Sequence, residues 1–360
     1  FNEVFFNDAR EAAALLELTL TSRNKNDPDP IPMAGVPYHA LDGYLRKLVD
    51  AGRKVAVAEQ RPAAPGSKLL EREIVRVVTP GVPWDTDSLQ PREACYLCGV
   101  VQSKNGVGMA FLDSTTGDLR LTRVADLGSA RAELERMEPR ELVLPAELRD
   151  APELAGAVDS TSVVDGGWFD LPAATAALSE VLGVEDLVGF GCADVPEGVG
   201  AAGAVVTYAR QMARVGLQHV RSLRRYDVGG HMVLDEATRR NLEILRPMRG
   251  TGRKGTLLHL LDRTGTPMGG RLLREWLARP LVDLGRIHER HDAVKCLLDP
   301  ALRATLRDGL KGVADLERLA AKAAQSTANA RDLVALGRSL EACPGLLAPL
   351  IHQPALNPRV

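Results

Sequence analysis

No uninterrupted apolar run in this 360-residue chain approaches the roughly 18–20 residues that a bilayer-spanning helix needs, and no basic segment leads into an apolar one at the N-terminus. The sequence thus predicts neither a membrane anchor nor a secretory leader, and it predicts a cytoplasmic location. Cysteine is sparse: five residues, Cys95, Cys98, Cys192, Cys296 and Cys343, are an odd and scattered set that argues for reduced thiols rather than a disulfide scaffold. Cys95 and Cys98 have metal-ligand spacing but no second pair, and His288 and His291 do not form an H-E-x-x-H motif, so no zinc site is predicted. A phosphate-binding G-x-x-x-x-G-K-[ST] loop is missing too. Gly250–Gly255 spells G-x-G-x-x-G, yet it lies between helical patterns instead of after a strand, and it reads as a basic loop without nucleotide affinity.

Net charge is small, −2, but unevenly distributed. Residues 1–80 carry 11 Lys/Arg against 11 Asp/Glu, residues 81–235 carry 13 against 23, and residues 236–340 carry 20 against 12. A basic stretch beside an acidic one suggests that only part of the molecule faces a polyanion, with Arg249, Arg253 and Lys254 as candidates in the last third; solvated helix faces are the plainer alternative.

Hydrophobic content of 45% suits a folded chain, and the length allows two or three cores. Residues 1–80 alternate helical and extended patterns, with a helix near Asp8–Leu16, a strand near Leu18–Ser22 and a loop stiffened by Pro30, Pro32 and Pro37. A helix follows His39, with Leu41, Tyr44, Leu45, Leu48 and Val49 on one stripe, then strands at Val55–Glu59 and Ile74–Val78. Pro80–Pro91 lacks periodicity and reads as a linker.

Three short strands, Tyr96–Val101, Val107–Leu112 and Leu119–Val124, then imply an antiparallel meander, followed by helices at about Leu127–Met137, Ala173–Leu182 and Pro196–Arg214 and strands at Glu141–Leu144 and Thr161–Val164. After a strand-like Met232–Leu234 the pattern is helical, with start signals at Asp235, for a helix containing Leu242 and Leu245, and at Thr266-Pro267 and Asp283. Further helices occupy Pro300–Leu310, Ala314–Ala324 and Ala330–Ala342. The helical part stops at Val360 without a closing element and reads as incomplete.

Phe1-Asn2-Glu3 sets a flat apolar ring two positions from a carboxylate, a pair suited to stacking on one group while bonding its edge. Together with Ile31–Ala40, Val55–Gln60 and Val75–Gly81 it resembles the mismatch-binding domain of the bacterial MutS family. Asp186–Gly191, Leu234–Glu243, Leu261–Gly269, Arg271–Trp276 and Asp315–Leu319 are similar, in order, to that family's connector, core and lever. The resemblance implies a multi-domain protein. Residues 1–80 are expected to form an α/β mismatch-binding domain, 81–92 a linker, 93–230 an α/β connector with a mixed, ribonuclease H-like sheet, and 231–360 an all-α core/lever segment.

It further implies that Phe1 wedges beside a mispaired or unpaired base while Glu3 hydrogen-bonds it; Arg23, Lys25 and Met33 are added as possible DNA contacts by their place in the loop alone. It implies double-stranded DNA with mismatches or small loops as the ligand, a homodimer, MutL as partner, no membrane, and a nucleoid-associated cytoplasmic site. ATP and Mg belong to a domain of the full-length family member outside this chain, which itself is expected to hold no cofactor and no ATPase activity. The sequence departs from the family at Asn2, where Tyr is usual, and Phe1 is its first residue, so the segment preceding the motif is expected to be missing. The rival reading is a metal-dependent ribonuclease H-like nuclease centred on Asp113, at the end of an apolar strand. A site of that kind needs converging carboxylates, and Glu141 and Asp165 are the ones at the ends of the later strands.

Overall fold

The chain enters a strand at once: β1 (Asn2–Phe5) runs into α1 (Phe6–Leu16) without a connecting residue, and Phe6 absorbs the change of direction at φ 57°. The computed structural model describes residues 1–24, 28–60, 72–87, 89–213, 216–250 and 252–351. They fall into two units, Phe1–Trp84 with Ala209–Arg214, and Asp85–Tyr208 with Val215–Val360.

In the first unit, β2 (Thr21–Arg23) and β3 (Ile31–Val36) join β1 in an antiparallel sheet of order β1-β3-β2. The proline-stiffened segment expected to be a loop is therefore the central strand. Pro32 is tolerated because the β1 register ends at Met33, so it faces β2 alone. The expected strand near Leu18–Ser22 starts three residues later, at Thr21. One face of the sheet packs on α1, joining Ala34 and Val36 to Ala9, Ala12 and Leu16. Nearby, α2 (Leu41–Asp50) lays Leu45 on the hairpin of β4 (Val55–Gln60) and β5 (Arg72–Val78), in a small core with Val57 and Val78.

The second unit is built on β6 (Tyr96–Ser103), β7 (Gly106–Asp113) and β8 (Asp118–Val124), a meander whose central strand is buried throughout. After α3 (Leu127–Met137), β9 (Glu141–Pro145) pairs parallel with β6 and β10 (Thr161–Val164) parallel with β9. Next come α4 (Leu171–Leu182), α5 (Pro196–Ala213) and β11 (Ser222–Arg225), which adds parallel to β8. The mixed six-stranded sheet has the order β10-β9-β6-β7-β8-β11. Phe111, Met109 and Cys98 meet Leu134 and Ala130 of α3 on one face, while glycines bring α5 onto the other. A Cβ at Gly108 would overlap the Glu197 carbonyl, and one at Gly99 would lie 2.8 Å from the Ala201 oxygen.

The remainder is helical: α6 (Glu236–Asn241), α7 (Leu257–Leu261), α8 (Pro267–Ala278), α9 (Leu284–Cys296), α10 (Pro300–Leu310), α11 (Leu316–Ala324) and α12 (Ala330–Ile351). The start signals act as their chemistry dictates, since Asp235, Thr266 and Asp283 each accept from a backbone N–H three residues on. Three expectations fail. Met232–Leu234 forms no strand, and its neighbour His231 makes an isolated bridge to Leu281. The helix capped by Asp235 ends before Leu242 and Leu245, because Glu243 turns to φ 46°. The last helix passes Pro344 and Pro349, reaching Ile351 instead of Ala342. By length and composition alone α12 would span a bilayer. It carries Arg331, Asp332, Arg338 and Glu341, and α10 and α11 pack against it.

Candidate nucleic-acid interface

Alternation along an extended chain sends residues two apart to the same side. In β1 this puts Phe1, Glu3 and Phe5 on one face, and the registers Glu3↔Gly35, Phe5↔Met33, Thr21↔Met33 and Arg23↔Ile31 put Gly35, Met33, Thr21 and Arg23 beside them. This face points away from α1. Phe1 is 86% exposed and Glu3 is exposed, while Met33 is half-buried. The Arg23 guanidinium lies 5.9 Å from the Phe5 ring centroid. Lys25 lies outside the described residues.

Four of the five residues singled out from sequence thus share one outward surface, although Arg23 and Met33 were chosen only for their place in the loop. Gly35, Phe5 and Thr21 were missed. The period-two recurrence in Phe1-x-Glu3-x-Phe5 would have revealed Phe5; Gly35 and Thr21 needed the cross-strand register. Asn2 lies on the opposite face, where its Nδ2 is buried without a hydrogen-bond partner among the described residues.

Elsewhere the candidate chemistry dissolves into structure. Asp113 is fully buried, and its two carboxylate oxygens accept from Cys95 N (3.0 Å), Thr115 N (2.9 Å) and Thr115 Oγ1 (2.6 Å). Burial raises its pKa, against the lowering effect of those bonds. Glu141 accepts from Ser162 Oγ and Tyr208 Oη inside the core, and Asp165 caps a turn at Gly167. Each carboxylate that the nuclease reading needs is occupied where it stands. Among the described residues no group of three or more His, Cys, Asp or Glu is placed to hold a metal. Cys95 and Cys98 are buried thiols, and Gly250, Gly252 and Gly255 all have positive φ in a loop between α6 and α7.

Part of the charge asymmetry of the sequence is met inside the second unit. Arg274 of α8 reaches Glu138 (2.7 Å) and Glu93 (3.5 Å), Arg246 reaches Glu138 (3.2 Å), and Lys322 of α11 reaches Asp87 (2.7 Å). Arg239 donates to the Glu135 carbonyl at 2.8 Å. Arg120 of β8 grips Glu275 with two hydrogen bonds. The segment read as a linker is held as well: Arg271 donates to the Pro91 carbonyl, and Arg318 to those of Gln90 and Glu93. Arg239, Arg246, Arg271, Arg274, Arg318 and Lys322 of the last third therefore hold the acidic segment. Arg249 and Lys254 remain exposed, while Arg253 stands 3.4 Å from Asp262.

Comparison with known proteins gives a consistent assignment. Family models described as MutS domain I, MutS domain II and MutS domain III match residues 1–87, 95–221 and 237–359. The DNA mismatch repair protein MutS of Symbiobacterium thermophilum is 43% identical over 360 residues, covering 97% of this chain and 41% of that protein. The MutS proteins of Desulfatibacillum aliphaticivorans (42% over 357 residues) and Anaeromyxobacter sp. (44% over 354) each match 97% of the chain and 40% of their own length. The chain thus spans about two fifths of these relatives' length.

Proposed function

Since the chain belongs to the MutS family, we propose that the outward face of its three-stranded sheet recognises mispaired or unpaired bases in duplex DNA, and so serves the first step of mismatch repair. The observation that carries this reading is the placement of Phe1 and Glu3 on one exposed face, about 6.8 Å apart along the strand, with the bare Gly35 beside them. Phe1 enters from the minor groove and stacks beside the faulty base, and the Glu3 carboxylate accepts a hydrogen bond from its edge. A mispair unstacks more cheaply than a matched pair, so an apolar wedge meets a smaller deformation cost there. Arg23 and Met33 flank the wedge, and Lys25 is assigned to the same contact by its place in the sequence alone.

In this reading residues 1–80 bind the lesion, 81–92 link, 93–230 connect and 231–360 belong to the core and lever. The mixed sheet, a meander followed by two parallel strands on its first strand, supports a ribonuclease H-like connector without its chemistry. For the whole protein the family further suggests a homodimer, ATP and Mg as cofactors in another domain, MutL as partner and a cytoplasmic, nucleoid-associated site.

The test is the affinity of the intact protein for duplexes that differ by one mispair. Phe1→Ala removes a stacking contact worth about 1–3 kcal/mol, which predicts a roughly 5- to 150-fold loss of affinity for the mispaired duplex and little change for the matched one. Glu3→Ala removes a base contact but also a charge near phosphates, so its matched binding should hold or tighten. Unchanged mismatch preference together with a markedly lower melting temperature would make Phe1 a core residue and end the proposal.

A further inference from the structure

Gly35 is a glycine that the fold does not require. Its φ lies outside the left-handed region, and a Cβ built on it would meet nothing closer than Phe1 Cδ1 at 3.6 Å and the Asn2 carbonyl oxygen at 3.8 Å, both ordinary contacts. This sets it apart from Gly99 and Gly108, where a side chain would drive into backbone, and from Gly117, whose φ is +78°. Within a central strand a glycine is a liability, because it loses more entropy on folding and packs nothing. Its neighbours Met33 and Ile31 on the same face carry large side chains.

What the missing side chain does leave is space. Gly35 stands directly opposite Glu3, and the Phe1 ring lies 3.6 Å from where its Cβ would sit, so a bare stretch of backbone separates the ring from the carboxylate-bearing residue on an exposed surface. Cross-strand partners hold their Cβ atoms about 4.5–5.5 Å apart, so a branched side chain at position 35 would rise between Phe1 and Glu3. We infer that Gly35 is a specificity-determining position, the floor of the slot that admits the edge of an unstacked base between wedge and carboxylate. This rests on the mismatch reading above, and it adds a residue that contributes by having no side chain.

The experiment compares Gly35→Val, Gly35→Ala, Phe1→Ala and the Phe1→Ala/Gly35→Val double variant of the intact protein on matched and singly mispaired duplexes. Valine favours strands, so it should leave melting unchanged while lowering the preference for mispaired DNA by about tenfold or more. Alanine, whose methyl group fits, should cost roughly threefold or less. Because valine fills the space between the Phe1 ring and Glu3, it should lower mispaired affinity no further once Phe1 is already alanine and should leave matched binding at the parent level, whereas a general loss of structure would lower both. If Phe1→Ala abolishes the preference and Gly35→Val leaves it, the role of Gly35 is refuted while the wedge stands. If Phe1→Ala leaves the preference, the wedge reading falls first. Should Gly35→Val lower the melting temperature, Gly35→Ser replaces it, with an expected loss between those of alanine and valine; a serine variant binding like the parent refutes the inference.

Discussion

Arg271 of α8 ties three parts of the second unit together. Its Nη1 donates to Asp315 Oδ2 at 2.7 Å and to the Pro91 carbonyl at 2.8 Å, while Nη2 donates to Asp315 Oδ1 at 2.8 Å and Glu317 Oε2 at 2.6 Å. The pair is well buried, with 9% of the Arg271 side chain and 15% of the Asp315 side chain exposed. Removing one member of a buried pair costs about 3–5 kcal/mol, because the other is left charged and unpaired. In Asp315→Ala the guanidinium keeps Glu317 and the Pro91 carbonyl, which lowers that figure. The variant also loses the cap of α11, typically worth about 1 kcal/mol but weaker here because the bond to Arg318 N is 3.4 Å long.

The balance is about 2–4 kcal/mol of local stability. Hydrogen exchange read segment by segment is the suitable assay, since a chain of several units need not unfold in one step. Amides of α8 and α11 should exchange roughly 30- to 900-fold faster in the variant, at 1.36 kcal/mol per decade. The i,i+3 pair Lys311–Asp308 serves as control, because Asp308 is 82% exposed and Asp308→Ala should change exchange by about twofold or less. Acceleration below about threefold in Asp315→Ala would show that the Arg271 cluster orders the helices without stabilising them.

Two further outcomes follow from burial and charge. Cys95, Cys98 and Cys192 are buried, burial pushing the Cys95 thiol up to about 12, so a thiol reagent on the native chain should label Cys296 and Cys343 alone; fast labelling at Cys95 or Cys98 would contradict the packing of β6. Burial would raise the Asp262 pKa, but hydrogen bonds from Thr264 and Arg92 outweigh it and hold the carboxyl below its usual range. Its stabilisation is therefore complete above the unfolded value near 3.9 and is lost as pH falls from there through the lower folded value. Asp262→Asn should melt lower at pH 7 and lose less on acidification below about pH 4, and parallel melting curves for parent and variant across that window would refute the linkage.

Much of the second unit was legible because its signals are local. The alternation in Leu119–Val124, the capping hydroxyl of Thr266 before Pro267, and Asp283 ahead of its helix act within four residues of themselves, and the corresponding strand and helices form where those signals lie. The sequence by itself likewise set Phe1 and Glu3 at the two-residue spacing that shares a face once the segment is extended. Whether it is extended was decided elsewhere. Ile31–Val36 holds a proline and a glycine that locally disfavour a strand, and it becomes one because β1, β2 and α1 satisfy its backbone and cover its inner face. Polar Ser222–Arg225 gives no strand signal and joins the sheet through β8, about a hundred residues earlier. Composition fixed a surplus of negative charge in one segment and of positive charge in the next, but the partners of Arg274, Arg246 and Lys322 are set by packing. Local rules reach a turn or so along the chain; strand pairing, cross-strand space at Gly35 and ion pairing depend on residues that only the tertiary fold brings within a few ångströms.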